Sequence, residues 1–175
     1  VEVLQMPRML ALAGALVALA LAAGPATAQQ PAGTAQAPPP PYGPPITLEQ
    51  AKRVMAAAEL EAAKNSWQVA IAILDSGGNM VMFHKFDNTQ LASIGASEGK
   101  ANTALRFKRP SKALDDAIAA GGAGLRLLAV KDITPLEGGL PVMLDGKIIG
   151  AIGVSGALSS QDAQVARAGV AAVVK

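Results

Sequence analysis

The stretch "GGLPVMLDGKIIGAIGVSG", residues 138–156, decides how this chain is read. Six glycines punctuate it and the residues between them are mostly aliphatic. A phosphate-binding loop would need a strand, then glycines whose amides face the anion, then a helix start, usually with a Lys-Ser/Thr pair. "GAIGVSG" follows the strand-like "KII" but has no such lysine and no GxGxxG. Asp145-Gly146 sits between "PVML" and "KIIGAIGV", and Asp-Gly between two aliphatic runs is a strong hairpin signal. The stretch therefore predicts two antiparallel strands and a glycine-rich exit into a helix. Gly150 and Gly153 weaken a strand by propensity, so their expected use is close approach of a helix, another subunit or a flat ligand.

Upstream, a second hairpin is expected. "WQVAIAIL" (67–74) is apolar on both alternations, as a strand covered on both faces should be. "DSGGN" (75–79) supplies the turn and "MVMFHKF" (80–86) the return strand. Helices are predicted around these hairpins. The first, 47–65, carries Thr47 and Gln50 as a capping box and apolar residues at helical spacing. Helices follow over 91–107 and 111–120, and a final one begins at "SSQDAQ". In 123–137, "LRLLAV" is readable as a strand and the rest as loop.

The amino-terminal part reads differently. Arg8, an apolar run over 9–24 and the small-x-small site Ala26-Thr27-Ala28 make residues 1–28 an expected secretory signal peptide. The run is shorter than the roughly 20 residues that cross a bilayer. Residues 29–45 hold most of the twelve prolines and are expected to be an extended linker. The folded domain is then 46–175. A periplasmic or secreted location follows, with no membrane association after signal cleavage. The absence of cysteine excludes disulfides and thiolate metal sites. A net charge of +2, three Phe, one Trp and one Tyr offer little to nucleic acid.

Taken together, "WQVAIAILDSGGNMVMFHKFD", "KANTALRFKRPS" and "GGLPVMLDGKIIGAIGVSGALSSQDAQVARAGVAAV" resemble the GlcG/HbpS haem-binding family. Its domain also occurs at the carboxyl end of some corrinoid adenosyltransferases. The resemblance runs from about residue 47 to the end. It implies an α/β (α+β) profilin-like fold, a five-stranded antiparallel sheet with helices on both faces, commonly assembled into homo-oligomers. The small residues of "GAIGVSG" and of the helix 47–65 are expected to favour such assembly.

Candidate site residues cluster in two places. "KANTALRFKRPSK" (100–112) carries Lys100, Arg106, Lys108, Arg109 and Lys112 around Thr103. Lys100, Thr103 and Arg106 follow one another at spacing three, a cationic stripe suited to a carboxylate-bearing ligand such as haem with its propionates. The family's Lys-Ala-x-Thr-Ala pattern is matched by Lys100, Ala101, Thr103 and Ala104, and a threonine oxygen on iron would make a weak, exchangeable site. His84, the one histidine, shares a strand face with Met82 and Phe86. It is either a half-covered strand residue or an axial haem ligand. It stands at the variable x of the family's Phe-x-Arg-Met-Asp pattern, where this chain has Lys85-Phe86-Asp87 in place of Arg-Met-Asp. The expected cofactor is haem, and the expected cofactor-binding residues are Thr103, Lys100, Arg106, Arg109 and His84, with His84 or Thr103 at the iron. No catalytic residue is assigned. The function read from this is an exported haem- or tetrapyrrole-binding module, a scavenger or sensor. The alternative is an enzyme or accessory protein for small organic acids such as glycolate-like carboxylates. There Arg106 or Arg109 would hold the carboxylate, and only His84, Asp87 and Glu98 are available for acid–base work.

Overall fold

The computed structural model describes residues 38–173. The expected signal peptide, residues 1–28, and the expected linker as far as residue 37 lie outside them. The domain is α+β: α1 (Leu48–Lys64), β1 (Ala70–Asp75), β2 (Met80–Lys85), α2 (Ala92–Phe107), α3 (Lys112–Ala119), a 3-10 helix (Gly122–Ala129), β3 (Gly139–Leu144), β4 (Lys147–Ser155) and α4 (Ser159–Ala171). The strands form one antiparallel sheet in the order β2-β1-β4-β3.

Both hairpins form where the turn residues place them. Asp145 and Gly146 take φ of 49° and 72°, the pair of positive angles that a two-residue turn between twisted strands requires. At the other hairpin, the Asp75 carboxylate accepts hydrogen bonds from the amides of Gly77 (2.8 Å) and Asn79 (2.9 Å). Residues Ala70–Leu74 of β1 are buried, as a strand covered on both faces must be. The capping box of α1 is complete: Gln50 N donates to Thr47 Oγ1 and Thr47 N donates to Gln50 Oε1.

Helices cover both faces. On one, α1 and α4 pack Val54, Met55, Val165 and Ala166 against Ile71, Ile73, Ile152 and Val154. On the other, α2 packs Ala101 and Leu105 against Leu74, Ile148 and Ala151. The glycines of the deciding stretch bring α2 down onto the sheet. A Cβ on Gly153 would overlap the Ser97 carbonyl oxygen and the Ala101 amide, and one on Gly139 would overlap the Lys100 carbonyl. Of the three expected uses of Gly153, close approach of a helix is the one seen. From Gly150 to Ser155 the residues of "GAIGVSG" are buried within the chain.

Two expectations are corrected. Among the described residues the sheet has four strands where five were expected. β4 outruns β1 at its start, and the backbone groups left open there are taken up by residues 41–46. Ile148 N donates to Pro41 O (2.9 Å), Gly43 N to Ile148 O (2.8 Å) and Ile46 N to Ile149 O (2.8 Å), with Tyr42 and Ile148 forming one parallel bridge. "LRLLAV" is no strand. It lies in the 3-10 helix and just beyond, entered through Gly121 and Gly122 at φ of 73° and 55°, and none of that helix is buried. With no neighbouring strand among the described residues to complete a ladder, the run closes its backbone bonds locally, as in Val130 N donating to Leu127 O (3.0 Å).

Candidate functional site

α2 sets the geometry of the site. Successive residues on an α-helix turn by about 100°, so a spacing of three falls short of a full turn by about 60° each time. Lys100, Thr103 and Arg106 therefore do not share a face. Lys100 points inward and is 2% exposed. Its ammonium donates to Asp162 Oδ2 (2.8 Å) and to Val154 O (3.0 Å), tying α2 to the start of α4. The other Asp162 oxygen accepts from Ala157 N. Burial raises the Asp162 pKa above its ordinary value, even though the Lys100 ammonium acts to lower it.

Thr103 points sideways and is fully buried. Its hydroxyl donates to Gly99 O (2.8 Å) and accepts from Thr134 N (2.7 Å), so it anchors the loop that follows the 3-10 helix. Arg106 points outward, and its guanidinium donates to Asp132 O (3.1 Å) of the same loop. Asn102 reaches the same carbonyl at 3.4 Å. Arg109 is exposed and donates to Phe107 O (3.1 Å).

His84 is elsewhere. It pairs with Ile71 in the β1–β2 ladder, on the face covered by α1, and its Nδ1 lies 2.5 Å from Glu59 Oε1 of that helix. The sheet stands between His84 and α2. His84 and the α2 residues Thr103 and Arg106 therefore stand on opposite faces of the sheet.

What the structure does bring together is a groove along the outer side of α2. One part, about 570 Å³, is lined by Tyr42, Ser76, Gly77, Gly78, Leu105 and Arg106 with Asn102 and Asp132. The other, about 310 Å³, shares Gly78, Asn102 and Asp132 with it and runs on past Glu98, Gly99 and Thr134. These volumes fall in the roughly 300–1,000 Å³ range of ligand sites. Arg106 is the one expected cofactor-binding residue that lines the groove, and Glu98, expected only for acid–base work on a small acid, lines it too. The remaining lining residues escaped the sequence reading. Asn102, the variable x of the Lys-Ala-x-Thr-Ala pattern, faces the groove while the matched lysine turns away. "DSGGN" carried a turn signal only, and Tyr42 sat in a segment read as linker. Asp75 holds this turn rigid: burial acts to raise its pKa, but hydrogen bonds from Asn79, Gly77 and Gly78 outweigh it and hold the carboxyl below its ordinary value.

Among the described residues no three His, Cys, Asp or Glu side chains stand close enough to hold a metal ion. The groove offers a guanidinium for a carboxylate, an aromatic ring, and glycine backbone against which a flat group can lie. It contains no imidazole.

Compared with known proteins, residues 46–171 match the family model described as "Haem degrading protein HbpS-like". The chain belongs to the HbpS-like family. Among HbpS-like relatives, the Escherichia coli K12 protein GlcG is 38% identical over 110 residues, which cover 63% of this chain and 81% of GlcG. A double mutant of Streptomyces reticuli HbpS superposes with a TM-score of 0.68 at 32% identity, covering 74% of this chain and 87% of that one. The PduOC:heme complex superposes with a TM-score of 0.67 at 26% identity, covering 73% and 94%.

Proposed function

We propose that this protein is a haem- or tetrapyrrole-binding module whose ligand lies in the groove on α2. The observation that carries the reading is the 570 Å³ groove with Arg106 and Tyr42 in its wall. It occurs in an HbpS-like chain whose fold matches a structure solved with haem. The groove fits the periphery of such a ligand: Arg106 would hold a propionate by charge-assisted hydrogen bonds, with Lys108 close by, and Gly77–Gly78 would lie under the ring. Bound haem would supply redox and ligand-exchange chemistry at its iron. The chain's own residues bind its edge, orient it and limit water on one side. With no imidazole in the groove, weak and exchangeable binding is expected. Thr103 would reach the ligand only if residues 131–134 moved aside. Titrating the protein with ferric haem and following the Soret band tests the reading: saturable binding supports it, and a linear response identical to buffer refutes it.

Export, cleavage after Ala28 and action as a periplasmic or secreted scavenger or sensor complete the proposal, on the strength of the leader pattern in residues 1–28. Among the described residues no helix is long and apolar enough to cross a membrane. Homo-oligomerisation belongs to the same reading, supported by the exposed Leu125 (50%), Leu128 (66%) and Leu136 (44%) around the 3-10 helix. A second reading, binding of a small organic acid, is favoured by Glu98 and Arg106 lining adjoining cavities that share Gly78, Asn102 and Asp132. A thermal-shift screen of small carboxylates tests it.

A further inference from the structure

We infer that Tyr42, carried on the Pro-rich arm ahead of the family domain, is a ligand-contacting wall of the groove that sets its preference for flat aromatic ligands. This inference rests on the proposed haem- or tetrapyrrole-binding function. The family match begins at residue 46, so the arm lies outside it.

Three observations support it. First, the arm is built into the fold. Its backbone continues the β1 side of β4 through the hydrogen bonds of Pro41, Gly43 and Ile46. Gly43 lets it press close, since a Cβ there would stand 2.9 Å from the Lys147 Cβ. Pro41, Pro44 and Pro45 restrict their own φ, so little conformational freedom is left to lose when the arm seats.

Second, the ring is held in place from two sides. The Tyr42 hydroxyl donates to Leu105 O (2.9 Å), a carbonyl in the last turn of α2 that also accepts from Lys108 N (3.2 Å). The Lys108 ammonium lies 4.3 Å from the ring centroid, within cation–π range. Lys108 reaches that position because it ends α2 in the left-handed conformation, at φ of 55°.

Third, the anchored ring still has a free surface. Tyr42 is 44% exposed and lines the larger part of the groove, beside Arg106. An aromatic wall next to a guanidinium suits a planar ring that carries a carboxylate at its edge. A ring with a fixed position gives such a ligand area to stack on without ordering a mobile side chain. A small aliphatic acid would use Arg106 and gain little from Tyr42.

Tyr42 is the chain's single tyrosine, so meta-fluorotyrosine labels one site. The full chain so labelled is titrated with ferric haem while the Soret band and the fluorine NMR line are followed together. The expected result is a fluorine line that shifts and broadens in step with Soret saturation. A saturating Soret band with an unmoved fluorine line would overturn the inference and leave haem binding intact. Absence of Soret saturation would overturn haem binding, and this inference with it. Substitutions give the second arm. Tyr42→Phe keeps the ring and should bind haem within about twofold of wild type. Tyr42→Ala should bind about two- to tenfold more weakly, the range expected for an aromatic contact. Equal losses in the two variants would assign the effect to the hydroxyl and overturn the wall. Should Tyr42→Ala fail to fold, the fluorine titration decides alone.

Discussion

The Lys100 ammonium and the Asp162 carboxylate meet at 2.8 Å with both side chains 2% exposed, joining α2 on one face of the sheet to the start of α4. An ion pair so far from water stabilises only when both members are present, because either charge alone has no solvent to return to. The pair belongs to the scaffold of the groove and stands outside its lining.

Replacing one member should therefore cost more than replacing both. Lys100→Met is expected to destabilise the domain by about 3–5 kcal/mol. The double variant Lys100→Met/Asp162→Asn should recover much of that loss, since the amide oxygen of the new side chain can still accept from Ala157 N. Urea denaturation of the two single variants and the double variant measures this; a double variant as unstable as the sum of the singles would contradict it.

Two carboxylates should drive the pH dependence of stability in opposite directions. The Asp162 pKa is raised from 3.8 by burial, so the folded state holds this proton more tightly than the unfolded chain. Its contribution is fully present below about pH 3.8 and is lost as pH rises through the higher folded value. At Asp75, burial acts to raise the pKa but the turn hydrogen bonds lower it below 3.8 on balance, so its contribution is present above that value and lost as pH falls through the folded one. Relative to the double variant Lys100→Met/Asp162→Asn, in which no charge is buried alone, wild type should gain stability on acidification. Relative to Asp75→Asn, it should lose stability. Denaturation curves between about pH 3 and 7 give both slopes.

Gly153 is where α2 comes nearest to β4, and a methyl group there meets the backbone of Ser97 and Ala101. Backbone cannot move aside as a flexible side chain does. Gly153→Ala should cost at least the roughly 1–3 kcal/mol of an overpacked core, read as a lowered thermal midpoint. A midpoint equal to wild type would mean that α2 sits farther from the sheet than described.

Ligand-site variants should separate by face. Arg106→Ala removes the guanidinium that would hold a propionate; because Arg106 is exposed, haem binding should weaken by about two- to tenfold. His84→Ala, on the far side of the sheet beside Glu59, should leave both affinity and Soret position unchanged. A Soret shift in His84→Ala would move the haem site to that face.

Much of the fold was legible in the sequence because its signals are local. Asp145-Gly146 and "DSGGN" carry their own turn geometry, the Thr47–Gln50 box starts α1, and the unbroken apolar run of β1 announces cover on two faces. The site was legible only in part, because a groove is made by residues far apart in the chain. Spacing three along α2 suggested one cationic stripe, but helical drift turns Lys100 to Asp162, Thr103 to the 131–134 loop and Arg106 to the groove. Only tertiary packing decided which polar groups would be used up inside. The same holds for Tyr42. By itself the sequence shows a tyrosine among prolines, whereas the open backbone groups of β4 and the last carbonyls of α2 decide that it becomes part of a binding wall. Turns, caps and strand burial follow from neighbouring residues through backbone angles and hydrophobic pattern. The groove follows from which unsatisfied groups happen to meet when the chain closes on itself, and that is settled by packing.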